Sequence, residues 1–197
     1  MADREVLEQD VDQVARIAGP VGGMWVAYNE RGVTGSGFAS LETFARFREE
    51  HLALTGRGAQ RTEHMEPELF ATIEDSFCTG DRRPVPLDLR FATPIQKIVW
   101  EACCAIPSGD VISVGELARS IHRHNGGRGV VAAMEANPMP VIVPCYRVVR
   151  VAGSARAEDV GRYPHGHLVR ERLLERESLR AEEDAVRSWL LAARRTG

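Results

Sequence analysis

The chain has 197 residues, of which 44% are hydrophobic and 27% are charged, and its formal net charge is -3. This balance is typical of a folded globular protein and excludes a disordered or collagen-like chain. There is no run of about 18 apolar residues and no apolar signal segment, so we expect a cytoplasmic protein with no membrane contact. The four cysteines lack the spacing of a zinc site or a disulfide framework, which fits a reducing compartment.

The N-terminal part predicts a mixed helix and strand region. Residues 22–29 and 33–39 are short, β-prone and joined by a hairpin-like connection, which indicates the start of an antiparallel sheet. Two helices are expected next, one capped by Ser40 and one over residues 67–77. The pattern over residues 4–18 fits either a helix or a first strand and leaves both open.

A proline-bearing stretch, residues 81–94, predicts a linker between two parts of the chain. We therefore expect two domains, residues 1–89 and residues 90–197. Thr93 is placed as the N-cap of a helix, because a proline follows it, a glutamine lies three residues on, and apolar residues recur at helical period.

Two short helices joined by a glycine-bearing turn are predicted after that helix. Ser113 and Glu116 form a second capping box that opens the first of them, over residues 114–122. The second begins near Arg128, and the pair has the pattern of a helix-turn-helix unit.

This helix-turn-helix region is locally basic although the whole chain is acidic. Residues 113–150 contain five arginines and two glutamates, so a polyanion would be expected here if anywhere. Small side chains at Gly129 and Ala132, beside Arg128, would let the second helix approach a DNA groove closely.

Cys145 follows an apolar run, residues 139–143, that predicts a short buried strand. A rigid strand end can aim a thiol into a cleft, but an isolated cysteine is more often a buried small apolar residue than a nucleophile. Cys103 and Cys104 lie within the helix that Thr93 opens and are expected to be core residues. Two C-terminal helices are predicted, over residues 168–177 and 181–194.

The sequence NPMPVIVPCYRVV, residues 137–149, resembles the NPxPxxxPCHRV signature of O6-alkylguanine-DNA alkyltransferases. The resemblance extends upstream through FATPIQKIVWEACCAIPSGDVISVGELA and downstream to Tyr163 and Glu177. It implies an α+β fold, with an N-terminal ribonuclease-H-like antiparallel sheet domain and a C-terminal winged-helix-like helical domain that carries the helix-turn-helix.

The resemblance also implies a reaction. A guanine in double-stranded DNA would be flipped out of the helix, and its O6-alkyl group would move irreversibly to the sulfur of Cys145. No cofactor and no metal are expected, the partner is double-stranded DNA that contains alkylated guanine, and the protein is expected to act as a monomer.

Further site residues are assigned by their match to the family. Arg128 matches the finger residue that fills the gap left by the flipped base, and Asn137 matches an asparagine that braces the active-site loop. Tyr163 matches a tyrosine whose hydroxyl donates to the leaving guanine. The remaining residues of the implied DNA-binding face and base pocket are Val114, Gly129, Ala132, Pro140, Val148, Pro164 and His165.

Three positions depart from the family pattern. Tyr146 replaces the histidine that takes the thiol proton, Val114 replaces a tyrosine that helps rotate the nucleotide, and a Pro-His-Gly-His segment that includes His165 changes the pocket wall. A phenol is a weaker base than an imidazole at neutral pH, so transfer is expected to be slower. It then depends either on a proton relay from Tyr146 through water to Glu177, or on the helix dipole and nearby arginines lowering the pKa of the thiol.

Two other interpretations stay open. Because the histidine is absent, the chain could instead be a non-catalytic protein that binds alkylated guanine and flags it for another repair pathway. A transcription factor that uses the helix-turn-helix is disfavoured, because one such unit on a monomer binds DNA weakly.

Overall fold

The protein is described here by a computed structural model over residues 11–78, 84–123, 126–149 and 163–178. The predicted helix over residues 181–194 lies outside the described residues. The strands are β1 (Val11–Gly19), β2 (Gly22–Asn29), β3 (Gly32–Phe38), β4 (Gly58–Arg61), β5 (Ile112–Ser113) and β6 (Val148–Val149). The helices are α1 (Phe44–Thr55), α2 (Pro67–Cys78), α3 (Pro94–Cys104), α4 (Val114–Ser120), α5 (Gly127–Glu135) and α6 (167–178).

The N-terminal elements form a four-stranded sheet in the order β3-β2-β1-β4. The β1-β2 and β2-β3 pairs are antiparallel, as the sequence predicts, whereas β4 is parallel to β1. The region that the sequence left open, residues 4–18, is a strand from Val11 onward. All seven residues of β3 are buried, because the sheet is covered on both faces.

Helix α1 begins three residues later than the sequence predicts. Its N-cap is Thr43, whose side-chain oxygen accepts a hydrogen bond from the backbone N–H of Arg46. The prediction of Ser40 as the cap is wrong, because the next residues form a turn: the backbone N–H groups of Leu41 and Glu42 both donate to the carbonyl of Phe38. Thr43 is thus the first polar side chain placed to cap a free N–H group.

The helices of the C-terminal part follow the sequence closely. Both capping boxes form, at Thr93 before α3 and at Ser113 before α4. Helix α4 ends at Ser120, two residues before the predicted end, and α5 begins at Gly127. Together with the short parallel pair of β5 and β6, these helices form the α+β architecture that the sequence predicts.

The predicted strand over residues 139–143 is wrong. The segment is a tight buried loop in which the N–H of Val143 donates to the carbonyl of Met139, and Val141 adopts a positive φ of 74°. Strand β3 holds this loop, since the N–H of Ser36 donates to the carbonyl of Pro138 and its hydroxyl donates to that of Pro140 at 2.7 Å. The apolar run therefore reflects burial between two parts of the protein.

One cluster of buried apolar side chains joins the sheet to the C-terminal helices, from Val26 of β2 to Val99 and Trp100 of α3. The division of the chain at residues 89 and 90 stays a prediction. Within the described residues, no helix has the length and apolar character needed to cross a membrane.

Candidate active site

Cys145 opens a single 3₁₀ turn, Cys145–Arg147, that leads into β6. The residue is only 5% exposed. The side-chain amide of Asn137 donates to its Sγ at 3.4 Å and to the carbonyl of Val143 at 3.1 Å, while the Oδ1 of Asn137 accepts from the N–H of Met139 at 3.0 Å. One asparagine thus ties the buried loop together and presents an N–H group to the sulfur.

A second thiol lies against the first. The Sγ atoms of Cys145 and Cys103 are 3.8 Å apart, and Cys103 is fully buried. The hydrogen bond to Cys145, together with burial, raises the pKa of the Cys103 thiol well above its ordinary value. Cys103 is therefore a core residue, as the sequence predicts, and also a neighbour of the candidate nucleophile, which the sequence did not indicate.

Behind the cysteine, Tyr146 and Arg147 share one carboxylate. The hydroxyl of Tyr146 donates to Oε1 of Glu177 at 2.7 Å, and the guanidinium of Arg147 donates to both oxygens of Glu177 at 2.5 to 3.2 Å. Burial, and then the charge of Glu177, raise the pKa of Tyr146 above its ordinary range. Tyr146 therefore stays protonated and acts as a hydrogen-bond donor.

Tyr163 and His165 contact each other, and Tyr163 lies near Cys145. Tyr163 is buried, and burial followed by the charge of Cys145 raises the pKa of its hydroxyl. The ring of His165 meets those of Tyr163 and Phe38 edge to face, at centroid distances of 5.3 and 5.1 Å. Burial lowers the pKa of His165, so its imidazole is neutral at physiological pH.

Arg170 of α6 contacts both Tyr163 and the backbone that follows Cys145. Its guanidinium lies over the ring of Tyr163 at 5.6 Å and donates to the backbone carbonyls of Tyr146 and Val148. Burial lowers the pKa of Arg170 to about 10, which leaves it charged at neutral pH.

The remaining residues of the predicted base pocket differ in burial. Pro140 is buried within the loop of residues 139–143, which we call the acceptor loop, and Val148 is buried in β6, whereas Pro164 is exposed. A cavity of about 290 Å³ lies between the two parts of the protein and is lined by Tyr146, Arg147 and Glu177, but not by Cys145.

The predicted DNA-binding residues lie on the outer surface of the helix-turn-helix. Arg128, Gly129 and Ala132 are exposed on α5, and an added Cβ at Gly129 would meet no atom within 4 Å. Val114 is half-buried at the start of α4, next to Gly127. Small side chains thus lie on the exposed start of α5, whose N-cap residue is Gly126.

Sequence reasoning missed four residues that build this site: Ser36, Phe38, Cys103 and Arg170. Ser36 donates to the loop of residues 139–143, Cys103 lies against Cys145, and Phe38 contacts His165. Arg170 donates to the carbonyls of Tyr146 and Val148. An arginine or serine in an ordinary strand or helix carries no local signal of such a contact.

A family model described as "6-O-methylguanine DNA methyltransferase, DNA binding domain" matches residues 94–179. Over 100 residues, half of this chain (51%), the sequence is 39% identical to a methylated-DNA--protein-cysteine methyltransferase of Mycobacterium bovis, of which it spans 57%. It is 37% identical over 98 residues (50% of the chain) to the regulatory protein Ada of Salmonella typhimurium, of which it spans 26%. The chain thus spans less than two thirds of the length of these curated relatives.

Solved structures extend the similarity to the N-terminal part. The crystal structure of Mycobacterium tuberculosis OGT in complex with DNA superposes with a TM-score of 0.65 at 27% identity, over 85% of this chain and 94% of that one. The similarity therefore covers the sheet as well as the helical part.

Proposed function

We propose that this chain, a member of the O6-alkylguanine-DNA alkyltransferase family, repairs DNA by transferring the O6-alkyl group of guanine to Cys145. The observation that carries the proposal is the setting of the Cys145 sulfur. It is buried, it accepts an amide hydrogen bond from Asn137, and it lies near a buried phenol, that of Tyr163. Such a setting suits a nucleophile that attacks one enclosed carbon.

The reaction is a single displacement. The thiolate of Cys145 forms an S–C bond with the alkyl carbon, the C–O bond to guanine breaks, and the electron pair stays on the base. The hydroxyl of Tyr163 donates a hydrogen bond to the base as that negative charge develops. The thioether product is stable, so each molecule would act once.

DNA would be bound through the helix-turn-helix. Arg128 at the start of α5 would enter the base stack, while Gly129 and Ala132 let the helix approach the groove and Val114 lies at the edge of the same surface. We propose that a monomer binds double-stranded DNA in this way, in the cytoplasm.

His165 should influence which alkyl group the proposed base pocket accepts. Its ring fills the space between Phe38 and Tyr163, where the family resemblance places a short loop of small residues. A change in the ranking of methyl, benzyl and chloroethyl adducts is therefore expected, and a ranking unchanged from ordinary family behaviour would contradict it.

The second candidate is a lesion-binding protein that does not transfer the alkyl group. Tyr146 favours this candidate, since a phenol that donates to Glu177 and has a raised pKa cannot take the thiol proton. The protein would then hold alkylated guanine in its pocket and mark it for another repair pathway.

Mass spectrometry separates the two candidates. The protein is incubated with a duplex that contains O6-methylguanine, beside a Cys145→Ala control. A gain of one methylene on the peptide that contains Cys145, absent from the control, supports transfer. Tighter binding of the damaged duplex with no gain of mass supports the lesion-binding protein.

A further inference from the structure

The reaction proposed above requires Cys145 as a thiolate but gives Tyr146 no part in forming it. Tyr146 is a donor to Glu177, and Glu177 also accepts from Arg147. Tyr163 stays protonated because burial raises its pKa. None of these three groups is therefore placed or charged so that it can accept the proton of the Cys145 thiol.

Cys103 is the buried nucleophilic group that the reaction leaves unused. Helix α3 places its Sγ 3.8 Å from that of Cys145, within the range of a sulfur hydrogen bond, and both residues are almost fully shielded from water. If one of two thiols at this distance loses its proton, the remaining S–H can donate to the sulfur anion.

The surroundings decide which sulfur carries the negative charge. The amide of Asn137 donates to Cys145 at 3.4 Å. Among the described residues, the charged and ionisable groups near the two sulfurs are Arg147, which interacts with Cys103, and Tyr163 and Arg170, which lie close enough to interact with Cys145. Cys145 thus accepts a hydrogen bond from the Asn137 amide and lies near the cation Arg170. Once Cys145 has lost its proton, its sulfur can accept a second hydrogen bond from the thiol of Cys103.

We propose that Cys103 is a positioning residue for alkyl transfer, whose S–H donates to the sulfur of Cys145 and stabilises the attacking thiolate. The proton of Cys145 leaves to solvent, and Cys103 keeps its own proton throughout. When the S–C bond forms, the charge passes to guanine and the thiol hydrogen bond weakens. The raised pKa of Cys103 agrees with its remaining the protonated member of the pair.

The test measures the thiol pair separately from alkyl transfer, because the inference rests on the proposed function. Iodoacetamide labelling of Cys145 is followed from pH 5 to 10 by peptide mass spectrometry in four proteins: wild type, Cys103→Ala, Cys103→Ser and Cys104→Ala. Transfer from an O6-methylguanine duplex is timed over the same pH range. Cys104 is the matched control, since it neighbours Cys103 on the same helix and its sulfur faces the carbonyl of Ile142.

In Cys103→Ala, half-maximal labelling is expected at a pH about one unit higher, and transfer at pH 7 about tenfold slower, because a hydrogen bond to a charged group is lost. The rate should approach that of the wild type at high pH. Cys103→Ser retains a donor and should stay within about threefold of the wild type. Cys104→Ala removes a thiol that does not touch the sulfur of Cys145, so its half-maximal labelling should stay at the wild-type pH.

An unchanged labelling profile in Cys103→Ala overturns the inference. A transfer rate that falls by the same factor at every pH also overturns it, because that result shows that Cys103 acts only through packing. If Cys103→Ala does not fold, Cys103→Val, of similar volume and without a donor, gives the same two readouts. If the labelling profile shifts but no protein transfers methyl groups, the thiol pair is upheld and the proposed repair reaction fails.

Discussion

Replacement of Tyr146 by histidine should accelerate alkyl transfer. The phenol has a pKa above about 10, so fewer than about one molecule in a thousand carries the basic form at pH 7. An imidazole with an ordinary pKa of about 6.5 is mostly neutral there and able to accept a proton. Since a placed general base contributes about 100-fold or more, we expect Tyr146→His to raise the transfer rate at pH 7 at least tenfold.

The assay is single-turnover transfer from an O6-methylguanine duplex at pH 6 to 9, with Tyr146→Phe as the control. The control removes the hydroxyl that donates to Glu177 at 2.7 Å but supplies no base. It should lose about 1 kcal/mol of stability and leave the transfer rate within about threefold of wild type. A folded Tyr146→His protein that is no faster than wild type across this pH range would refute the assignment of Tyr146 as a non-basic donor.

Three further substitutions test the fold and the surface. Asp12→Asn should lower the free energy of unfolding in urea by about 3 kcal/mol, because this fully buried carboxylate pairs with Arg57. Burial alone would raise the pKa of Asp12, but its hydrogen bonds outweigh burial and lower it. The stability of the wild type should therefore hold above about pH 4 and fall below it. Ser36→Ala removes the bond to the acceptor loop and should cost about 1 kcal/mol and slow transfer, both measured against wild type. Arg128→Ala should weaken duplex binding about tenfold and reduce its salt dependence in a titration, whereas Arg48→Ala on α1 should not.

Local signals in the sequence predicted the helix starts of the C-terminal part. The capping boxes at Thr93 and Ser113 form because cap and helix lie within three residues of each other. The start of α1 was misplaced for the same local reason: a serine, Ser40, looks like a cap, but the turn anchored on Phe38 delays the helix.

The acceptor loop shows where local reasoning fails. An apolar run predicts a strand, yet residues 139–143 form a loop in which Val141 has a positive φ, rare for a β-branched residue. Hydrogen bonds from Ser36 and from the side chain of Asn137 to carbonyls of the loop stabilise this backbone conformation. Neither partner is visible in the run itself.

The sequence by itself determined the antiparallel start of the sheet, the two capped helices of the C-terminal part and the signature that surrounds Cys145, since all of these depend on neighbours along the chain. Only the tertiary structure decided what touches the sulfur. Cys103 lies 42 residues from Cys145, and Ser36 lies 104 residues from the carbonyl of Pro140 to which it donates. Such contacts depend on how the sheet packs against the helices, a property of the whole fold that no local pattern of residues encodes.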